Sequence, residues 1–376
     1  MSKNVKQLLD ETIPNEITLS EENKQRILQK ANTTKMQSLT PPKRRLLRPI
    51  FSTLAILALL MLLVGPSLID RLSSHVDFDT PLEKVTIPSV DYSSLIRSIF
   101  IRSTNELIFA DNKTIYSYSL TSHSQQVLVE STEDIDIYTM AANENWLVWG
   151  EENDNVYILD RKTQIQPKQI NHVIGDIQLK DNRMIYSDSY GYKRLNLTTM
   201  EEDIIHENIG IGRNSKADLY DTFLVIPEQF TKNNSNVTAF YVYDITTLER
   251  IGKYGVPYKS AENVTLIDNR IYASFSNEDE DPSTLGYIDI SDGKFHKIKT
   301  PPFSTYAIYK NYIALSVIEK NSDTVKLYQL EDDALGELPI FNKIKERLVV
   351  PRFTDDGTLI VNGESADFSI YVQDVE

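Results

Sequence analysis

Glu106-Leu-Ile-Phe-Ala110 is a short apolar run that returns, altered in its letters but not in its pattern, six more times. The later copies are Trp146-Leu-Val-Trp-Gly150, Arg183-Met-Ile-Tyr-Ser187, Phe223-Leu-Val-Ile226, Arg270-Ile-Tyr-Ala-Ser274, Tyr312-Ile-Ala-Leu-Ser316 and Thr358-Leu-Ile-Val361. A turn former stands just before each: Asn105, Asn145, Asn182, Asp221, Asn269, Asn311 and Asp356, at spacings of 40, 37, 39, 48, 42 and 45 residues. Short apolar runs bounded by turn residues read as strands buried on both faces. Their recurrence at this period marks a repeat architecture in which one supersecondary unit is copied along the chain.

The surroundings of each run recur too. An extended stretch precedes it, and a polar, acidic loop follows. A Tyr-rich run then closes with Tyr118-Ser119, Leu159-Asp160, Leu195-Asn196, Tyr243-Asp244, Ile288-Asp289, Tyr328-Gln329 or Val372-Gln373, before a tight turn and a fourth strand. Asp or Asn in that column can accept hydrogen bonds from the next turn's backbone, so it reads as structural. The seventh copy stops at Glu376 before any fourth strand, while Glu83-Lys-Val-Thr-Ile-Pro88 is a strand-like piece without a unit of its own. That piece is expected to supply the missing strand and remove an open edge. These residues resemble the WD40, YVTN and TolB-like β-propeller superfamily over about three quarters of the chain, without a Trp-Asp dipeptide or Gly-His signature. The resemblance implies an all-β fold, a seven-bladed β-propeller over residues 83–376, and no particular activity.

Upstream, Pro49 to Ile69 reads PIFSTLAILALLMLLVGPSLI without a charge, long enough as a helix to cross a bilayer. Lys43, Arg44, Arg45 and Arg48 abut its start and only Arg71 lies close beyond its end. The expectation is a single-pass protein of the cell membrane with residues 1–48 in the cytoplasm, residues 70–82 as a tether and the remainder extracytoplasmic. A cleaved signal peptide, the competing reading, would have a shorter apolar core nearer the N-terminus.

Residues 1–48 carry two short helix candidates, one around Asn4 to Glu11 and one after Leu19 capped by Ser20. They hold too little apolar surface for a core of their own, so this segment either lacks a fold or folds on a partner. Val5-Lys-Gln-Leu-Leu-Asp10, Ile13-Pro14 and Ser20-Glu-Glu-Asn-Lys-Gln-Arg-Ile-Leu-Gln-Lys30, followed by a Pro-basic stretch and one span, resemble the membrane-bound anti-sigma factors. In those proteins the cytoplasmic helices hold a sigma factor off RNA polymerase while the outer domain controls release. The resemblance implies Leu8, Leu9, Ile27 and Leu28 as apolar contacts to a sigma factor. The His-x₃-Cys-x₂-Cys signature of the zinc-binding subclass is absent.

Composition narrows the chemistry. No cysteine occurs, which removes disulfides, thiolate catalysis and cysteine-held zinc. The net charge of −15 is concentrated after residue 48, where 49 Asp/Glu face 29 Lys/Arg, so nucleic acid is an unsuitable partner. His75, His123, His172, His206 and His296 show no metal-ligand spacing, there is no GxSxG elbow, and Asn208-Ile-Gly-Ile-Gly-Arg213 lacks the Lys-Ser/Thr of a P-loop and reads as a loop between blades. No catalytic residue or cofactor is assigned.

The loops after the recurring apolar runs are acidic, with Asp111, Glu151, Glu152, Asp154, Asp188, Glu228, Glu319, Asp323, Glu364 and Asp367. The densest run is Glu278, Asp279, Glu280 and Asp281. Solvated loops on an acidic protein explain them; a shared anionic face for a basic partner or divalent cations is the sharper expectation. The functional expectation is a regulatory or sensory membrane protein whose ring binds an extracytoplasmic ligand or protein. An anchored scaffold for envelope assembly is the alternative.

Overall fold

The computed structural model describes residues 81–376 apart from 89, 91–97, 112, 131–135, 153–154, 166, 172, 174, 214, 233–234, 257, 278–282, 320–322, 365–368 and 376. The expected cytoplasmic helices, the apolar stretch 49–69, the tether up to residue 80 and the run Glu278 to Asp281 lie outside these residues. Among the described residues no helix is long and apolar enough to cross a membrane.

Among the described residues 28 strands form seven four-stranded antiparallel sheets. Blades 1 to 6 each use four consecutive strands, starting at Ile99–Ile101, Ile137–Ala142, Gly175–Lys180, Asp218–Tyr220, Ser260–Ile267 and Phe303–Tyr309. Blade 7 is built from Arg347–Phe353, Thr358–Glu364 and Ser369–Asp374, and its fourth strand is Glu83–Thr86. The register of that closure is Glu83↔Val372, Lys84↔Tyr371, Val85↔Ile370 and Thr86↔Ser369. The ring is therefore closed by the strand the sequence left unassigned to a unit.

Why the second strand of each blade is a continuous apolar run is now physical. Alternate residues of a strand face opposite sides of its sheet, and each blade is covered on both sides. Leu107 and Phe109 pack toward blade 7 with Val85, Ile360 and Ile370, whereas Ile108 and Ala110 pack toward blade 2 with Leu147 and Trp149. The pattern repeats around the ring in one apolar cluster per blade interface. The fully buried Tyr192, Tyr241 and Tyr272 supply the large areas that such wedge-shaped spaces need.

The turn column behaves as expected. Asp160 Oδ1 accepts the N–H groups of Lys162 and Thr163 at 2.9 and 3.3 Å, Asn196 Oδ1 those of Thr198 and Thr199 at 3.0 and 3.2 Å, Asp244 Oδ1 that of Thr246 at 2.7 Å, and Asp289 Oδ1 that of Ser291 at 2.9 Å. In the turns before the apolar runs, Asn105, Asp221 and Asn269 adopt left-handed φ of 49°, 54° and 64°. Blades 3 and 6 differ by one residue: Asp181 and Lys310, not Asn182 and Asn311, take the positive φ. Asp tolerates this region almost as well as Asn, so the turn's geometry fixes the position and the sequence only its neighbourhood.

Candidate functional site

Up-and-down connection places the turns after strands one and three of every blade at one end of the ring, and the loops after strands two and four at the other. The acidic loops therefore do share an end. The described acids there are largely engaged within the fold. Asp188 is buried, its Oδ1 accepting the N–H groups of Tyr190 and Gly191 at 2.7 and 3.0 Å and its Oδ2 lying 3.0 Å from Lys193 Nζ. Arg347 pairs with Glu364 at 2.5 Å and Asp323 at 3.7 Å, and Lys326 with Glu319 at 2.9 Å. Glu151 and Glu228 are also buried. Among the described residues no group of three or more His, Asp or Glu is arranged to hold a metal ion.

Around the central axis the inner strands frame a cavity of about 710 Å³, lined by Gln178, Lys180, Ser215, Asp218, Thr265, Tyr306, Asp355 and their neighbours. Its walls are stitched laterally by side chains. Gln178 Nε2 donates to the Ala217 carbonyl across blades 3 and 4. The bulge between Glu262 and Thr265 frees backbone groups that blades 4 and 6 collect: Val264 N–H donates to Ser215 Oγ at 3.0 Å, Leu266 N–H to Asp218 Oδ2 at 2.7 Å, and Tyr306 OH to the Asn263 carbonyl at 2.5 Å. Burial pushes the Asp218 carboxyl up to about 6, with the charge of Asp355 adding to it. Across the channel, Lys180 of blade 3 pairs with Asp355 of blade 7 at 3.3 Å. Where blade 7 meets blade 1, Arg352 donates to Ser98 Oγ at 2.6 Å and Asn362 Oδ1 at 2.8 Å, and burial lowers its guanidinium to about 10.

A second constellation sits between blades 3 and 4 and was not visible as a motif. His206 and Glu228 are both almost fully buried. His206 Nδ1 lies 2.8 Å from Tyr243 OH, its ring packs 4.8 Å from that of Tyr241, and its Nε2 faces Glu228 Oε2 at 3.3 Å. Glu228 Oε1 accepts the N–H groups of Ile209 and Gly210, each at 2.7 Å. Burial lowers the His206 pKa below its ordinary 6.5 against the opposing pull of Glu228, with Arg213 and Arg250 adding to the lowering. The imidazole is thus neutral near pH 7 and the carboxylate anchors a loop.

That loop belongs to blade 4's enlargement. Phe223–Lys232 and Ser235–Asp244 run ten residues each, longer than their counterparts in the other blades. The added length carries the 208–212 segment alongside: Ile211 N–H donates to the Gln229 carbonyl and Gln229 N–H to the Gly212 carbonyl, both at 2.8 Å. The one sequence signal for it is the spacing of 48 between Asp221 and Asn269, the longest of the six.

No family model and no curated protein matches the chain. Among solved structures it is similar to a chain of the Mitotic Checkpoint Complex (13% identity, covering 79% of this chain and 94% of that one, TM-score 0.52). It is also similar to the Myceliophteria thermophila Cps50 (Swd1) β-propeller domain (13%, 78% and 100%, TM-score 0.53) and to U3-55K (12%, 77% and 98%, TM-score 0.55). At these identities the likeness concerns fold alone, a β-propeller, and the described residues between 83 and 375 build seven blades.

Proposed function

We propose that this chain is a membrane-tethered regulatory protein whose propeller, outside the cytoplasm, binds a protein and whose residues 1–48 hold a cytoplasmic sigma factor through Leu8, Leu9, Ile27 and Leu28. The observation that supports it is the closure of the ring by Glu83–Thr86. Residues 70–82 alone separate the apolar stretch 49–69 from that strand, so an event that loosens or tightens blade 7 acts on the chain leading to the membrane. A rigid ring carrying side-chain surfaces on two ends and an outer rim suits macromolecular binding, and no catalytic constellation needs to be invoked. The scaffold reading keeps the ring and the tether and gives residues 1–48 no task beyond orientation.

The test is chemical crosslinking of the full-length chain in its native membranes. Recovery of a sigma factor by the wild type, and its loss when Leu8, Leu9, Ile27 and Leu28 are all changed to Asp, supports regulation. Recovery of no transcription protein removes that reading and leaves the scaffold.

A further inference from the structure

Large apolar side chains exposed to water are concentrated in one stretch of this chain. Tyr190, Ile204, Ile209 and Ile211, at 78%, 59%, 62% and 61% exposure, are half of the large hydrophobics exposed among the described residues, and they fall within one short stretch of chain. Mobility does not account for the 209–211 pair. Glu228 clamps two consecutive backbone N–H groups, Gln229 exchanges two backbone bonds with Ile211 and Gly212, and a Cβ on Gly210 would collide with the Gln229 carbonyl oxygen. The fold thus commits a buried carboxylate and a close-approach glycine to holding two isoleucines out into solvent, an arrangement that has no use in the monomer and lowers the ordering cost of binding.

Beside the loop, Glu202–Glu207 is the outermost strand of blade 3, and among the described residues no strand pairs with its outer edge. Tyr190, Ile204 and His206 line a hollow of about 450 Å³ there. The strand and the residue before it also bring Glu201, Glu202, Asp203 and Glu207, of which Glu202 and Asp203 are answered from the neighbouring strand by Lys193 and Arg194. An excess of acid on an edge disfavours pairing with a second copy of this acidic chain and favours a basic strand.

We propose that the outer edge of blade 3 and the 208–212 loop form a docking surface for an extended segment of a partner protein, one with an aliphatic anchor flanked by Lys or Arg. It adds to the edge as a fifth strand, places its anchor in the hollow between Tyr190 and Ile204, and rests its basic flanks on the acids of the strand. The proposal rests on the reading of the ring as a protein-binding module and names the place and the chemistry.

The probe is the fluorescein-labelled peptide Lys-Lys-Val-Ile-Val-Lys-Lys, with a Glu-flanked counterpart, titrated by anisotropy against the full-length chain in detergent micelles. The basic peptide is expected to bind at least about tenfold more tightly than the acidic one. Ile209→Ser with Ile211→Ser, and separately Ile204→Asp, should each weaken it at least about tenfold with the unfolding midpoint little changed. Equal binding to wild type and both variants overturns the site while leaving the ring a binding module. Binding of neither peptide overturns the partner chemistry. Self-association in sedimentation that the same variants abolish assigns the surface to a second copy and overturns the proposal.

Discussion

Blade 7 takes its outer strand from the other end of the propeller and pairs only four residues of it, whereas blade 4 is one unbroken stretch whose middle strands run ten residues each. Blade 7 compensates with polar ties at the seam: Lys84 to Glu346 at 2.7 Å, Tyr371 to the same carboxylate, Arg102 to Asp374, and Arg102 to the Asp356 carbonyl at 3.0 Å. Several of these are half-exposed and individually weak. Blade 4 does the reverse, burying Glu228 against His206 of blade 3 to hold an exposed loop. A blade that closes the ring is held by its apolar strand and many small surface contacts. A blade that presents something concentrates its polar investment where water is absent and each group counts for more.

That contrast orders the expected effects. Deleting residues 81–88 should be the most damaging change, because it strips Val85 and Ile87 from the blade 7–blade 1 core and opens the edge of Ser369–Asp374. A lowered midpoint and aggregation in thermal unfolding are the expected readout. Glu228→Ala should follow, costing about 1–3 kcal/mol in urea unfolding, since the Ile209 and Gly210 N–H groups lose their acceptor. His206→Phe combined with Glu228→Leu should recover little of that loss, because the Ile209 and Gly210 N–H groups still lack an acceptor; full recovery in the same urea series would show that the cost came from the His–Glu contact instead. Asn196→Ala, which frees two turn N–H groups at the surface, should cost about 1 kcal/mol. Lys84→Ala, with its side chain 46% exposed, should cost less than about 1 kcal/mol.

Acid sharpens the same comparison. Burial holds the folded His206 below 6.5, so unfolding lets the ring take up a proton that the folded state refuses. Its contribution to stability is complete above about pH 6.5 and is lost as pH falls below it toward the folded pKa. Asp218 acts oppositely: its carboxyl, raised from 3.8 to about 6, favours the folded state on the acid side and withdraws that contribution as pH rises through the interval. Because Asp218 borders the open channel, the larger effect is expected from His206, beside Glu228, Tyr241, Tyr243, Arg213 and Arg250. A pH series of unfolding midpoints for His206→Gln should be flatter below pH 6.5 than that of the wild type.

Seven apolar runs, their turn residues and an orphan strand at Glu83 made the ring and its closure legible, because each reports a local requirement: burial on both faces, left-handed turns, a covered edge. The lateral stitches of the inner strands were not legible. Gln178, Ser215, Asp218 and Tyr306 meet backbone groups of a neighbouring blade or its lead-in, two of them, at Asn263 and Val264, within a bulge, and no residue type announces that encounter. The loops after the second strands share an end, but Asp111, Glu151, Glu228 and Glu364 lie in the strands and not the loops, and counting charges does not reveal that Asp188, Glu319, Asp323 and Glu364 meet Lys193, Lys326 and Arg347. Ile-Gly-Ile-Gly at 209–212 read as a loop, and a loop it is; its rigidity comes from Glu228, 18 residues beyond Gly210.

The absence of cysteine makes the central claim, closure of the ring by the strand leading back to the apolar segment, directly measurable. Lys84 and Tyr371 are register partners, and cross-strand partners stand close enough for a disulfide. In the full-length chain carrying Lys84→Cys and Tyr371→Cys, mild oxidation should give one intramolecular crosslink, seen as faster gel migration that reductant reverses, and should raise the unfolding midpoint. No crosslink, or only crosslinks between chains, would contradict the closure and with it the link between ring and tether.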